Sequence, residues 1–130
     1  MDKENLTKGK QKENVQKNLV DLSYIRELLE GNEQMMENVI ALFLQQIPDE
    51  LTLLEKAIEE QDYKVIKTIS HKFKSSVNIF GINVLIPVVA LMEEKGEQQK
   101  DLHEIKESFL CLKEILNKAI DELKQAIGCL

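Results

Sequence analysis

The sequence predicts an all-α protein: an antiparallel up-down-up-down four-helix bundle with a short additional N-terminal helix. Apolar residues recur at spacings of three and four along most of the chain, and no segment alternates with the period of a β-strand. Only five glycines and two prolines interrupt the 130 residues, too few for the many turns of a β-sandwich. Because the connections between helical segments are short, helices adjacent in sequence should run antiparallel.

Composition excludes several functional classes. Apolar residues make up 43% of the chain, enough for the core of one domain, and the formal net charge of −6 disfavours general nucleic-acid binding. The longest apolar run, Val84–Met92, contains Pro87 and is far shorter than the roughly 20 residues of a membrane span. The polar N-terminus lacks the apolar core of a signal peptide. We therefore expect a cytoplasmic protein without nucleic-acid or membrane partners.

Residues 1–19 are polar, lysine-bearing and without periodicity, so they are predicted to form a flexible tail or linker before a bundle domain over residues 20–130. The first helix is predicted over Asp21–Glu30, capped by Asp21 and ended by Gly31. Glycine is common at that position because it adopts the left-handed conformation at little steric cost.

The second helix is predicted from Glu33 to Glu60, with Asn32 as its cap. Its apolar stripe contains Met36, Ile40, Phe43, Ile47, Leu51, Leu54 and Ile58. Pro48 should kink or briefly break the helix near Gln45–Ile47. A second apolar set lies off this stripe and contains Met35, Val39, Leu42, Leu53 and Ala57. Two interpretations of this set stay open: the short first helix covers part of it, or it binds a partner.

The third helix is predicted over Tyr63–Phe80, between a cap at Asp62 and a stop at Gly81. Its apolar stripe is centred on Ile69, and His71 lies about 160° away from that centre at 100° per residue. The imidazole is therefore expected to face water. The polar residues that share or flank this face are Lys64, Lys67, Lys74, Ser75 and Asn78.

The fourth helix is predicted over about Val84–Lys95, with Asn83 as a candidate cap, Pro87 near its first turn and Gly96 as its end. The last helix is predicted over about Asp101–Ile127. Its apolar stripe contains Leu102, Ile105, Phe109, Leu112, Leu116, Ala119, Leu123 and Ile127.

An exposed histidine among lysines suits phosphoryl chemistry. A neutral imidazole nitrogen is a good nucleophile near neutral pH. Like-charge repulsion from Lys67 and Lys74, each one turn from His71, should favour the neutral ring. The same lysines should stabilise the negative oxygens of a phosphoryl group bound to the ring.

The run His71–Ser76, followed by Phe80 and Gly81, resembles the signature of histidine-containing phosphotransfer (HPt) domains. That signature is His-x-x-Lys-Gly-Ser/Ala with a later Leu/Phe-Gly pair, and the likeness extends over about residues 20–125. Ser75 stands where the family often has glycine, although serine occurs there in some members.

The resemblance implies a phosphoryl carrier and not an enzyme. His71 would accept a phosphoryl group from a receiver-domain aspartate and pass it to another receiver, with Lys74, and more weakly Lys67, stabilising the phosphate. Ser75, Asn78 and Glu93 would lie beside the site; some family members have a polar residue near the position of Glu93. No cofactor or metal site is implied, because Mg²⁺ comes with the receiver. The expected partners are receivers of response regulators and of hybrid sensor kinases, and the expected state is a monomer.

Two other interpretations remain. The chain is a non-catalytic interaction module that binds through the face of Met35 and Leu42, with His71 an ordinary surface residue. Alternatively it is an enzyme, which the absence of a glycine-rich nucleotide loop disfavours. The other histidine, His103, lies near the start of the last helix beside Asp101 and Glu104, and we interpret it as an exposed bystander.

Overall fold

The computed structural model describes residues 18–128, which form five α-helices and one 3₁₀ turn and contain no strand. The elements are α1 (Ser23–Leu28), α2 (Glu33–Glu59), α3 (Tyr63–Ile79), a 3₁₀ turn (Asn83–Leu85), α4 (Ile86–Gln98) and α5 (Leu102–Ala126). The prediction of an all-α bundle with a short additional N-terminal helix is thus confirmed. None of the helices in this part of the chain combines the length and the apolar character needed to cross a membrane.

Cross-helix contacts show how α2 and α3 run. Near one end of the pair the rings of Phe43 and Phe80 stack with centroids 4.3 Å apart, and farther along Lys72 pairs with Glu50 at 3.1 Å. Residue numbers rise on α2 as they fall on α3, so the two helices are antiparallel. The ion pairs of the candidate site show the same for α3 and α4.

The core is built from the predicted stripes, and all four phenylalanines of the chain are buried in it. Its other members are mainly aliphatic: Ile40, Ile47, Leu54, Ile66, Leu85, Val89, Met92, Ile105, Leu112, Leu116 and Leu123 are among them. Burial of each such side chain stabilises the fold by about 1.5–3 kcal/mol before the entropy of ordering is subtracted. The apolar stripe of α3 is held in this core, which fixes the opposite face of α3 toward solvent.

The second helix passes through Pro48 without the short break that we considered, because α2 is continuous over Glu33–Glu59. Asn32 caps it as predicted, with its side-chain oxygen 3.1 Å from the amide of Met35. Within the off-stripe apolar set, Ala57 is buried and Val39 is half-buried. Met35, Leu42 and Leu53 remain about half exposed on the outer surface of α2.

The start of α4 differs from the prediction. Asn83 opens the 3₁₀ turn and does not cap α4, whose N-cap position is Leu85. The α-helix begins at Ile86, with Pro87 in its first turn as expected. Proline fits there because the first amides of a helix have no partner within the helix.

The end of α4 also differs. The prediction that Gly96 ends this helix is wrong, because α4 continues to Gln98 and closes at Gln99, whose φ of 55° is left-handed. Gly96 is buried inside the helix. Its lack of a side chain serves helix packing here and not helix termination, as the site geometry shows.

The first helix is shorter than the predicted Asp21–Glu30. Asp21 is not the N-cap residue, since Leu22 occupies that position, but the Asp21 carboxylate accepts a hydrogen bond from the Ser23 amide at 2.9 Å. Hydrogen bonding from Ser23, through its side chain first and its amide second, holds the pKa of Asp21 below its ordinary value. Gly31 follows the helix with a φ of +75°, consistent with its predicted role as the stop.

Residues 18–22, which we call the N-terminal strap, are tied to the end of α5. The Glu122 carboxylate accepts hydrogen bonds from the amides of Leu19, at 2.8 and 2.9 Å, and Val20, at 3.1 Å. The polar tail predicted for residues 1–19 lies, except for its last two residues, outside the described part of the chain. The division into a tail and a domain therefore stays a prediction.

Candidate functional site

His71 lies on the solvent face of α3, as the periodicity predicts. The opposite face of the helix buries Ile66, Phe73 and Val77 in the core, and the His71 side chain is 65% exposed. Asp62 caps this helix with its carboxylate 3.2 Å from the Val65 amide. A capped helix fixed by its core stripe presents the imidazole on a defined and accessible position of the surface.

A carboxylate from the neighbouring helix fixes the orientation of the ring. Nδ1 of His71 lies 2.8 Å from Oε2 of Glu93 on α4, whose side chain is only 21% exposed. An ionised carboxylate only accepts hydrogen bonds, so Nδ1 carries the hydrogen of this contact. In the neutral ring, Nε2 then bears the free lone pair and is the nucleophilic atom.

Glu93 also binds Lys74, the lysine one turn beyond the histidine. Nζ of Lys74 lies 3.4 Å from Oε1 of Glu93, so the two carboxylate oxygens serve two different partners. The hydrogen bond from His71 holds the pKa of Glu93 below its ordinary value, the Lys74 charge lowers it further, and burial opposes both effects. Glu93 is thus an ionised link between the histidine and the lysine.

Two other lysines of α3 near His71, Lys67 and Lys72, are paired with acidic residues of neighbouring helices. Lys67 forms an ion pair with Glu97 on α4, and the hydrogen bond in this pair raises the pKa of Lys67. Lys72 pairs with Glu50 of α2 at 3.1 Å. The surroundings of His71 are therefore less positively charged than the lysines of α3 alone suggest, because the neighbouring helices supply compensating carboxylates.

The two smaller residues of the predicted site have different surroundings. Asn78 donates from its side-chain amide to the Lys74 carbonyl at 3.0 Å, one turn back on its own helix. Ser75 is exposed one turn after His71. A small exposed side chain at that position leaves space beside the ring for a second molecule to approach.

Gly96 sets the spacing between α3 and α4 at the site. A Cβ added to Gly96 would lie 3.0 Å from the amide nitrogen of Lys67 and 3.2 Å from its Cα. The two backbones are therefore close at this point, which lies one turn from Glu93. This close crossing brings the α4 carboxylates within reach of the α3 histidine and lysines.

The periodicity analysis missed the roles of Gly96, Glu97 and Lys72. One signal was present: Lys67 and His71 are four residues apart on α3, and Glu93 and Glu97 are four apart on α4. In an antiparallel pair of helices, Lys67 and His71 face Glu97 and Glu93 only when α4 has one particular axial position relative to α3. The sequence does not fix that axial position.

His103 is the other histidine of the chain. His103 is 82% exposed and lies 3.2 Å from Glu107, one turn along its own helix, so its environment is that of an ordinary surface residue. Across residues 18–128, no group of three or more His, Cys, Asp or Glu side chains is arranged to hold a metal ion.

A helical bundle that presents a histidine to solvent, beside a lysine and a carboxylate from the next helix, is the arrangement expected of a helical phosphotransfer module. The family model described as the Hpt domain matches residues 38–126, more than half of the chain. The chain belongs to the Hpt domain family, which confirms the resemblance noted in the sequence. No curated protein and no solved structure matches the chain.

Hpt domains are phosphocarrier modules that act in histidine phosphotransfer and interact with receiver domains of two-component systems. The family match concerns the domain as a whole, over residues 38–126. The roles of the individual side chains at the site are therefore proposals.

Proposed function

We propose that this protein carries a phosphoryl group on His71 in a multistep phosphorelay, taking it from an aspartyl phosphate of one receiver domain and passing it to the aspartate of another. The observation that carries this proposal is the 2.8 Å contact between Nδ1 of His71 and Glu93 on an otherwise exposed ring. It leaves Nε2, the nitrogen that is free of this contact, as the acceptor of the phosphoryl group. Loading requires no proton transfer, because the lone pair of Nε2 attacks phosphorus directly.

Lys74 is proposed to stabilise the phosphoryl group. Its Nζ lies 3.4 Å from Glu93 in an exposed pair, which contributes at most about 1 kcal/mol to stability. The lysine can therefore leave Glu93 for a doubly charged phosphoryl group at small cost. Lys67 is the weaker candidate, since its ammonium is engaged by Glu97. The Mg²⁺ needed for transfer is proposed to come with the receiver.

The receiver is proposed to approach over the exposed face of α3, where Ser75 leaves room beside the ring. The flank of α2 that reaches α3 through the Glu50–Lys72 pair continues outward into the exposed Leu42 and Leu53. These apolar side chains also favour the second candidate, an interaction module in which His71 has no chemical role. A monomeric state, a cytoplasmic location and the absence of nucleic-acid and membrane partners stay predictions.

Phosphate labelling separates the two functions. Receiver domains loaded with a small phosphodonor such as acetyl phosphate are mixed with the wild-type protein and with His71→Gln and His103→Gln. We expect acid-labile, alkali-stable label on the wild-type protein and on His103→Gln, and none on His71→Gln. Label that persists in His71→Gln would refute the assignment of the acceptor. If several receivers bind the wild-type protein and none labels it, the interaction module is the better description.

A further inference from the structure

The contact between Glu93 and Nδ1 has a consequence for the loaded carrier, beyond the choice of the attacking nitrogen. We propose that Glu93 keeps the Nδ1 proton on His71 while Nε2 carries the phosphoryl group, so that onward transfer always releases a neutral imidazole. Glu93 is then a positioning residue for both half-reactions. This inference rests on the proposed function of His71 as the phosphoryl acceptor.

The chemistry of the two half-reactions balances without any proton moving. In loading, the Nε2 lone pair forms the N–P bond, the P–O bond of the aspartyl phosphate breaks, and the donor carboxylate takes the electron pair. The ring is then an imidazolium that still bears its Nδ1 hydrogen. In unloading, an acceptor carboxylate oxygen attacks phosphorus, the N–P bond breaks, and its electron pair returns to Nε2.

Loss of the Nδ1 proton from the loaded ring would change the second half-reaction. The leaving group would then be an imidazolate anion, which is a far poorer leaving group than neutral imidazole. The phosphoryl group would stay on the ring until a proton returned. A carboxylate placed against Nδ1 favours the protonated ring, because an opposite charge within hydrogen-bond distance stabilises the charged form.

The geometry is suited to this task in three respects. Oε2 of Glu93 lies 2.8 Å from Nδ1, and in the unloaded carrier Lys74 contacts Oε1, so the carboxylate already faces the ring before the phosphoryl group arrives. The close crossing at Gly96 fixes α4 against α3, so the carboxylate comes from a rigid neighbour and not from a flexible loop. The Glu93 side chain is also only 21% exposed, against 65% for His71 and 47% for Lys74.

The other charged groups around the ring do not supply this function. The three lysines Lys67, Lys72 and Lys74 bear ammonium groups, which only donate and therefore cannot accept a hydrogen bond from Nδ1. Their partners Glu97, from α4, and Glu50, from α2, compensate the charge of Lys67 and Lys72. Within residues 18–128, Glu93 is the carboxylate that contacts the His71 ring.

The test measures how fast the N–P bond breaks as a function of pH. The proteins are loaded with phosphoramidate, which needs no receiver, in a His103→Gln background so that one histidine remains. Glu93→Gln removes the carboxylate and keeps the side-chain shape. Glu97→Gln is the matched control, because it removes a carboxylate from the next turn of α4 that does not contact the ring. Loss of phosphate is followed by phosphorus NMR, and circular dichroism checks that each variant is folded.

The rate of phosphate loss should fall with rising pH as the loaded ring loses its Nδ1 proton. In Glu93→Gln we expect the rate of phosphate loss to begin falling about one pH unit lower than in the parent protein. At any pH at which both rates are falling, the variant should therefore lose phosphate about tenfold more slowly than the parent. In Glu97→Gln the position of the fall should match the parent. Nitrogen-15 NMR of the loaded ring should show the same displacement for the Nδ1 proton.

The outcomes are distinguishable from those that test the proposed function. If the profiles of Glu93→Gln and the parent coincide, the role of Glu93 is refuted, whether or not receivers load His71. An equal displacement in Glu97→Gln would also overturn it, because the effect would then be one of net charge and not of the contact. If the displacement is found but no receiver labels His71, the proposed relay function fails while the proton-holding contact stands.

Discussion

Replacing Gly81 with alanine tests how the N-terminal strap is packed against the end of α3. Gly81 has a φ of +62°, and an added Cβ would overlap the carbonyl oxygen of Asp21 and lie 2.8 Å from its Cβ. The positive φ and the overlap with Asp21 are both set by the backbone. Neither is relieved by rotating a side chain, so the strap must move away if alanine is accommodated.

The expected loss follows from two contributions. A left-handed conformation costs a residue with a Cβ about 1–2 kcal/mol. Displacing the strap also breaks the hydrogen bond from the Asp21 amide to the Phe80 carbonyl, 3.1 Å long, which contributes about 1 kcal/mol. We therefore expect Gly81→Ala to lower the free energy of unfolding by about 2–3 kcal/mol.

Gly31→Ala is the matched control. Its φ of +75° is equally left-handed, but nothing lies within 4 Å of the position of its Cβ. It should therefore show the conformational cost alone, about 1–2 kcal/mol. The assay is urea unfolding followed by circular dichroism, with the slope compared between variants. Equal losses in Gly81→Ala and Gly31→Ala would show that the strap does not pack against Gly81 as described.

Two further predictions concern the site. Gly96→Ala should gain about 1 kcal/mol of helix propensity and lose about 1–3 kcal/mol by crowding the Lys67 backbone, for a net destabilisation of about 1 kcal/mol. The NMR resonances of the His71 ring should shift in this variant, because α4 moves away from α3. If Gly96→Ala were more stable than the wild type and its His71 resonances were unchanged, the close crossing of the two helices would be contradicted. Folding lowers the pKa of Glu93 from its ordinary value of 4.5. The ionised carboxylate therefore stabilises the folded protein fully at pH values above 4.5. This stabilisation is lost as the pH falls through the lower pKa of the folded state. In urea titrations the advantage of wild type over Glu93→Gln should therefore be constant near neutral pH and shrink in acid, and a constant advantage down to low pH would count against the contact.

The ion pairs around His71 matter for the proposed relay because they make the unloaded site nearly neutral. Lys67, Lys72 and Lys74 each lie against a carboxylate. A phosphoryl group would add about two negative charges to this surface. The loaded and unloaded carriers would therefore present different charges to a receiver at the same place, and salt should affect docking of the two forms differently.

Much of the fold could be predicted because helix periodicity is a local property. The stripe of α2 identified its buried residues correctly through Pro48, and the face of α3 that carries His71 followed from its angle to Ile69. Caps at Asn32 and Asp62 followed from residue type and position. These features depend on residues within a few positions of one another, so no knowledge of the tertiary structure was needed.

The errors occurred at residues whose usual position in a helix differs from the one that they occupy here. Gly96 was interpreted as a helix end because glycine commonly closes helices, yet it lies inside α4 against the backbone of α3. Asn83 was interpreted as a cap, yet it begins a 3₁₀ turn that leads into α4. At Gly96 the local preference of the residue was overridden by packing between two helices, which the sequence does not display.

Periodicity was sufficient to predict a helical bundle with His71 facing solvent, because the angle between residues on one helix is fixed by backbone geometry. The contacts of that histidine depend instead on how the helices pack against one another. The register of α4 on α3, set by the close approach at Gly96, places Glu93 on Nδ1 and Glu97 on Lys67. Register depends on how two surfaces pack, and a shift of one residue along α4 would rotate these carboxylates by about 100° away from their partners.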